Sequence, residues 1–169
     1  MKYHHALLAG VLGALVMALP ATGGEKKVVG WIEKVRIFPG NFIVHAKLDS
    51  GAEYCSLDAA NLTEFDRNGK RWVRFDLSER DGQKITMERP LLRTATIKRH
   101  YLASQKRPVI KLGVCLGGIY KETEVNLVNR TGFQYRMLIW RKFMEGAVII
   151  DPSAQYLAAP ECKETPTFE

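Results

Sequence analysis

The clearest pattern in the chain is an alternation. Phe42, Val44, Ala46 and Leu48 interleave with Ile43, His45 and Lys47, which predicts a strand with one buried face. A second strand-like stretch carries Trp72, Phe75 and Leu77. Hairpin-turn dipeptides flank it, Asn68-Gly69 before and Asp81-Gly82 after. Val109 to Leu116 and Glu122 to Val128 read as two more strands joined across Gly117-Gly118, and Tyr135 to Ile139 and Ala147 to Ile150 are short apolar runs. One helical turn is expected at Arg141 to Glu145. The other helix candidate is Ser56 to Leu62, with Ser56 as its N-cap. No long stretch has a period of 3.6, and there is no internal repeat or low-complexity linker. These elements predict one all-β-leaning domain over residues 24–160. Pro160 to Glu169 is polar, and residues 161–169 are expected to form a flexible tail.

The first residues have a different pattern. Lys2, His4 and His5 precede an unbroken apolar run, Ala6 to Leu19, which Pro20 ends and Ala21, Thr22, Gly23 and Gly24 follow. A membrane span needs roughly 20 residues; the shorter run suits a secretory signal over residues 1–23, cleaved near Ala21 to Gly23. The expected location is therefore periplasmic or secreted, with no stable membrane insertion after cleavage. Export would place Cys55, Cys115 and Cys162 in an oxidising compartment. An odd number allows at most one intramolecular pair. Sequence does not say which, and the plainest expectation is that Cys55 and Cys115 are unpaired core residues.

Composition adds bounds. The 169 residues, 46% hydrophobic and 25% charged, suffice for one domain and exclude a disordered chain, a collagen and a multi-span membrane protein. Net charge is +7. From Arg89 to Lys111 there are seven Lys or Arg (Arg89, Arg93, Lys98, Arg99, Lys106, Arg107, Lys111), with His100 and no acid. Such a run is either a solvated face or a surface for an acidic partner. Nucleic acid fits poorly, because no interleaved stacking aromatics accompany the charge.

Candidate chemistry centres on Leu48-Asp49-Ser50-Gly51-Ala52, where an acid ends the alternating strand and a hydroxyl residue and Gly form a tight turn. One carboxylate presented in this way cannot hydrolyse a peptide by the aspartic mechanism. That mechanism needs two carboxylates sharing one proton, one activating water and the other polarising the carbonyl. With one such triplet in the chain, the second acid would come from a second copy across a twofold axis. Asp151 is the in-chain alternative, although its place before Pro152 suggests structure.

The resemblance of the wider chain is more specific than Asp-Ser-Gly alone. Gly30-Trp31, Ala46 to Ala52, Leu57-Asp58-Ala59, Trp72 to Phe75, Glu88-Arg89-Pro90 and Arg107 to Ile110 carry it. They continue in Leu116-Gly117-Gly118, Glu124 to Leu127, Met137-Leu138-Ile139 and Ile150 to Ser153. In order and spacing, residues 28 to 157 resemble the retropepsin-like aspartic endopeptidase family labelled "ATP-dependent zinc protease". The resemblance implies an all-β, retropepsin-like (acid protease) closed β-barrel with one short helix, acting as a homodimer. It makes Asp49 catalytic, with Ser50, Gly51 and Ala52 completing its loop and Leu138 and Ile139 packing beneath it. It also implies a flap hairpin, with Asp81-Gly82 as the candidate tip. His45, on the same strand face as Lys47 and Asp49, and Arg89 and Arg93 of the basic run are candidate substrate contacts. Relatives are linked to ligases that add glutamate, so the implied partner is a peptide or protein substrate of acidic character.

Two positions depart from the family pattern. Trp140-Arg141 stands where Gly-Arg is usual, and an indole needs either a shifted backbone or a different geometry. Glu53 stands where relatives carry a basic residue. Rival chemistries lack parts. There is no H-E-x-x-H or C-x-x-C, and beyond the leader the histidines are His45 and His100, so no metal or cofactor is expected and a zinc site at His45 and Cys115 is poorly supported. No family spacing pairs Cys55 with a His base. Gly113 to Gly118 lacks the Gly-Lys-Ser/Thr of a phosphate loop. Asn61-Leu62-Thr63 and Asn129-Arg130-Thr131 match glycosylation triplets, which are common by chance. The main alternative is a retropepsin-like domain that binds peptides without cutting them.

Overall fold

A computed structural model describes residues 25–52, 54–99 and 102–162. The leader over residues 1–23, Glu53, His100 and residues 163–169 lie outside them. The elements in order are β1 (Lys27–Phe38), β2 (Phe42–Asp49), β3 (Cys55–Asp58), β4 (Ala60–Arg67), β5 (Lys70–Ser78) and β6 (Lys84–Pro90). They continue with β7 (Arg93–Arg99), β8 (Leu102–Leu116), β9 (Ile119–Val128), β10 (Met137–Trp140), α1 (Arg141–Met144) and β11 (Val148–Gln155).

The larger sheet runs β11-β1-β2-β10-β3-β9-β8-β7, and β1 also pairs with β8. That extra pairing, Val35 to Phe38 against Leu116 to Gly113, returns the ladder on itself. Six strands (β1, β2, β10, β3, β9 and β8) therefore form a closed barrel, with β11 and β7 as appendages. Closure removes the exposed edges that an open sheet would carry. The barrel, and one short helix among the described residues, are as the family resemblance implies.

The alternation along β2 is borne out, since Phe42, Val44, Ala46 and Leu48 are buried while Ile43, His45, Lys47 and Asp49 are half-buried. Both turn dipeptides also form turns. Asn68-Gly69 closes β4–β5, Asp81-Gly82 lies between β5 and β6, and β4-β5-β6 make a separate three-stranded sheet. Its Val73, Phe75, Leu77 and Met87 share one core with Phe42, Val44 and Leu48 of the barrel. Burying four such side chains favours the docked state by several kcal/mol, on the order of 1.5–3 each. The β5–β6 hairpin is therefore anchored on the barrel through its strands, with Asp81-Gly82 as its exposed turn. The hairpin that projects is β7–β8. β7 pairs with β8 alone and buries only Ala95 among its described side chains.

Three further expectations change. Ser56 to Leu62 is not a helix. β3 is buried on both faces between β10 and β9, and Asn61 takes a left-handed φ of 52° that a helix cannot accommodate. A short apolar run carries no periodicity that separates helix from buried strand. Cys115 is not free; it is bonded to Cys162, and Cys55 is the buried free thiol among the described residues. The described start of the expected tail is also held down. Pro160 is buried and its carbonyl accepts from Arg36 Nε at 3.0 Å, and Cys162 is covalently fixed to β8.

Candidate active site

Asp49 is the last residue of β2. The chain turns at once, and Ala52 N–H donates to Asp49 O at 3.2 Å. Gly51 N–H donates to Asp49 Oδ1 at 3.0 Å, so the loop itself orients the carboxylate. This corrects the reason for the glycine. Gly51 is not in the left-handed region; instead a Cβ there would sit 3.3 Å from Asp49 Oδ1, and the missing side chain permits the close approach. Ser50 and Gly51 are exposed, and Ala52 is half-buried.

β10 supports this loop in parallel register, with Met137, Leu138, Ile139 and Trp140 opposite Ala46, Lys47, Leu48 and Asp49. Ile139 is fully buried and Leu138 half-buried, so the pair packs along the strand that ends in Asp49. Trp140 finds its room against Tyr54. The register with Asp49 is kept, and the indole stacks on Tyr54 with centroids 5.8 Å apart and planes 13° apart. Arg93 lies over the other ring of this stack, 5.5 Å from the Tyr54 centroid, and Lys142 Nζ lies 5.8 Å from the Trp140 centroid. Tyr54, Trp140 and Ala52 line a cleft of about 900 Å³ whose other walls come from β7, β8, β9 and α1. Sequence reasoning missed Tyr54. Its signal was an aromatic two residues past the aspartate turn, opposite an unusual Trp.

The other candidate contacts separate. Arg93 lines the cleft and pairs with Glu124 at 2.5 Å. Arg89 lies beside Tyr120 and Glu122, and partial burial lowers its pKa. His45 lies elsewhere. Its Nδ1 is 3.5 Å from Glu79, its ring meets Tyr156 edge-on, and it lines a second hollow with Lys34 and Arg36. Strand alternation gave His45 the correct face, but face alone does not determine distance along the strand.

The acid-free run is not acid-free in space. β9 lies antiparallel to β8 and brings Glu122 within 3.2 Å of Lys111 and Glu124 onto Arg93. Arg107 bonds to Gln105 and to Asn126, whose amide in turn donates to Cys55 O at 2.7 Å. Burial pushes the Cys55 thiol up to about 12, which leaves it unsuited to nucleophilic work. Asp151 accepts from Ser153 N and Oγ, and those bonds hold its carboxyl below the usual range. No group of three potential ligands fit for a metal occurs among the described residues.

A family model described as retropepsin-like aspartic endopeptidase RimB matches residues 28–161. The chain belongs to this family. A probable alpha-L-glutamate ligase of Shewanella pealeana is 36% identical over 116 residues, which are 67% of this chain and 25% of that protein. Another, from Desulfotalea psychrophila, is 32% identical over 145 residues, 83% of this chain and 31% of that protein. The chain thus spans about a quarter to a third of the curated relatives that it matches. A solved Legionella pneumophila structure of unknown function aligns with a TM-score of 0.68 at 30% identity, covering 79% of this chain and 98% of that one. The ligase names belong to much longer proteins.

Proposed function

We propose that this RimB-like chain is an exported aspartic peptidase that hydrolyses peptide or isopeptide bonds in acidic, glutamate-rich peptides as a homodimer. The observation that carries the reading is the Asp49 turn. A half-buried carboxylate is held by its own Gly51 N–H and backed by a buried apolar strand, with Ser50 and Gly51 exposed beside it. Two such turns meeting across a twofold axis would bring two carboxylates together. Like charges in contact cannot both ionise, so the pair would hold one proton. The ionised Asp49 would take a proton from water as the water attacks the scissile carbonyl. The protonated mate would donate a hydrogen bond to the carbonyl oxygen and later a proton to the leaving amine. The β7–β8 arms are the part of the fold suited to cover such a cleft. Glutamate ligase names among the relatives support an acidic substrate.

Trp140 favours one other reading. Its indole and Tyr54 occupy a wall where the family usually has Gly, which would suit a domain that binds peptides without cutting them. The test is hydrolysis of a glutamate-rich peptide by the mature chain across pH. A bell-shaped profile absent from Asp49→Asn and indifferent to a chelator supports the peptidase. Cleavage retained in Asp49→Asn, or restored only by added zinc, overturns it.

A further inference from the structure

The cleft lined by Ala52 of the Asp49 turn and by Trp140 carries cations on both sides, but they differ in what they are already doing. On the β7–β9 side Arg93 is paired with Glu124 and Lys111 with Glu122. Lys121 Nζ donates to Phe143 O at 2.7 Å and reaches Glu145 O at 3.5 Å, so it fastens α1 to β9. Arg141 and Lys142 remain. Both are exposed on α1, both line the cleft, and neither has an ion-pair partner among the described residues. Among the described residues lining the cleft, the acid without an ion pair is Glu145. Lys142 is also positioned, because its ammonium lies over the Trp140 ring and that ring is held flat against Tyr54. A cation over an aromatic face keeps its N–H donors for a further anion.

We propose that Arg141 and Lys142, carried on the Trp140–Tyr54 stack, form the subsite that takes an acidic side chain of the substrate. The acid-free run from Arg89 to Lys111 does not form it. This deepens the peptidase reading and rests on its acidic substrate. It also gives Trp140 a role, since the indole in place of Gly builds the platform under Lys142.

The test is binding of a fluorescent oligoglutamate peptide to Asp49→Asn protein, where no cleavage interferes, with parallel kinetics in the Asp49 form. Exposed ion pairs contribute modestly. Lys142→Gln and Arg141→Gln should each weaken binding by about 2- to 5-fold, raise KM by the same factor at nearly constant kcat, and leave a neutral peptide unaffected. Trp140→Gly should resemble Lys142→Gln. Lys98→Gln and Lys106→Gln, exposed cations outside the cleft, should change nothing. Losses at Lys98 and Lys106 with none at α1 would overturn the inference, as would no binding of the peptide at all. Binding that depends on α1 without any cleavage by the Asp49 form would sink the peptidase reading and leave the subsite standing. Cleavage that ignores α1 would do the reverse.

Discussion

Asp49 and Glu33 are carboxylates on neighbouring barrel strands, and the fold surrounds them in opposite ways. Glu33 is fully buried and accepts three backbone N–H groups, from Gly30 at 2.6 Å, Leu157 at 2.9 Å and Ala158 at 3.3 Å. Its oxygens are committed to holding the chain after β11 against β1. Asp49 is half-buried and accepts one N–H, from within its own turn. No other hydrogen bond to its carboxylate is made among the described residues, so further lone-pair capacity remains. Glu33 is saturated by the fold, whereas Asp49 is oriented and otherwise left open, as the proposed chemistry requires. Asp58 and Glu79 fall on the structural side. Asp58 accepts from Arg130 N–H and Arg136, and Glu79 from His45 and Arg80 N–H.

The contrast can be broken most sharply at the two acids themselves. Asp49→Asn should cost about 10³-fold or more in peptide hydrolysis while leaving the urea midpoint nearly unchanged. Glu33→Ala should do the opposite, losing about 3 kcal/mol of stability in urea unfolding because three buried donors lose their acceptor. Equal effects of both variants on stability would remove the distinction. The Glu33 end can be probed next through its covalent fastening. The Cys115–Cys162 bond spans a sequence separation of 47, and Cys162→Ser should lower stability by about 2–4 kcal/mol. At Gly30 a Cβ would lie 2.5 Å from the Ala154 carbonyl oxygen. Gly30→Ala should therefore cost about 1–3 kcal/mol, against a smaller loss at the exposed Gly51.

The smallest effect concerns a group on neither side of the contrast. The Cys55 thiol is raised from 9.0 to about 12, first by burial. A group whose folded value lies above its unfolded one stabilises fully below the unfolded value and loses that contribution as pH rises through the folded one. Stability should thus decline from about pH 9 upward, and Cys55→Ala should flatten that decline. Labelling by iodoacetamide at pH 8 in the native state would contradict the assignment.

How much of this was legible in the sequence follows from the range of each signal. β2, the Asn68-Gly69 turn and the helical turn at Arg141 are local patterns, and each appears where the pattern placed it. Barrel closure rests on β1 pairing with β8, a long-range register with no local mark. The basic run looked unneutralised because Glu122 and Glu124 arrive from the next strand. Ser56 to Leu62 was misread because β3 is buried on both faces, which erases alternation. At the site, Asp49 and its turn were visible as a motif. Tyr54 was not, because its role exists only through Trp140, which is distant in sequence and adjacent in space.

The central claim is that two Asp49 carboxylates share one proton across a dimer axis. A crystal structure of the chain from residue 24 onward tests it most directly, through the distance between the Asp49 carboxylates of neighbouring copies. The account predicts that they lie within hydrogen-bond reach, about 3 Å. Two Asp49 side chains held apart, with the Trp140–Tyr54 stacks between the protomers, would contradict it.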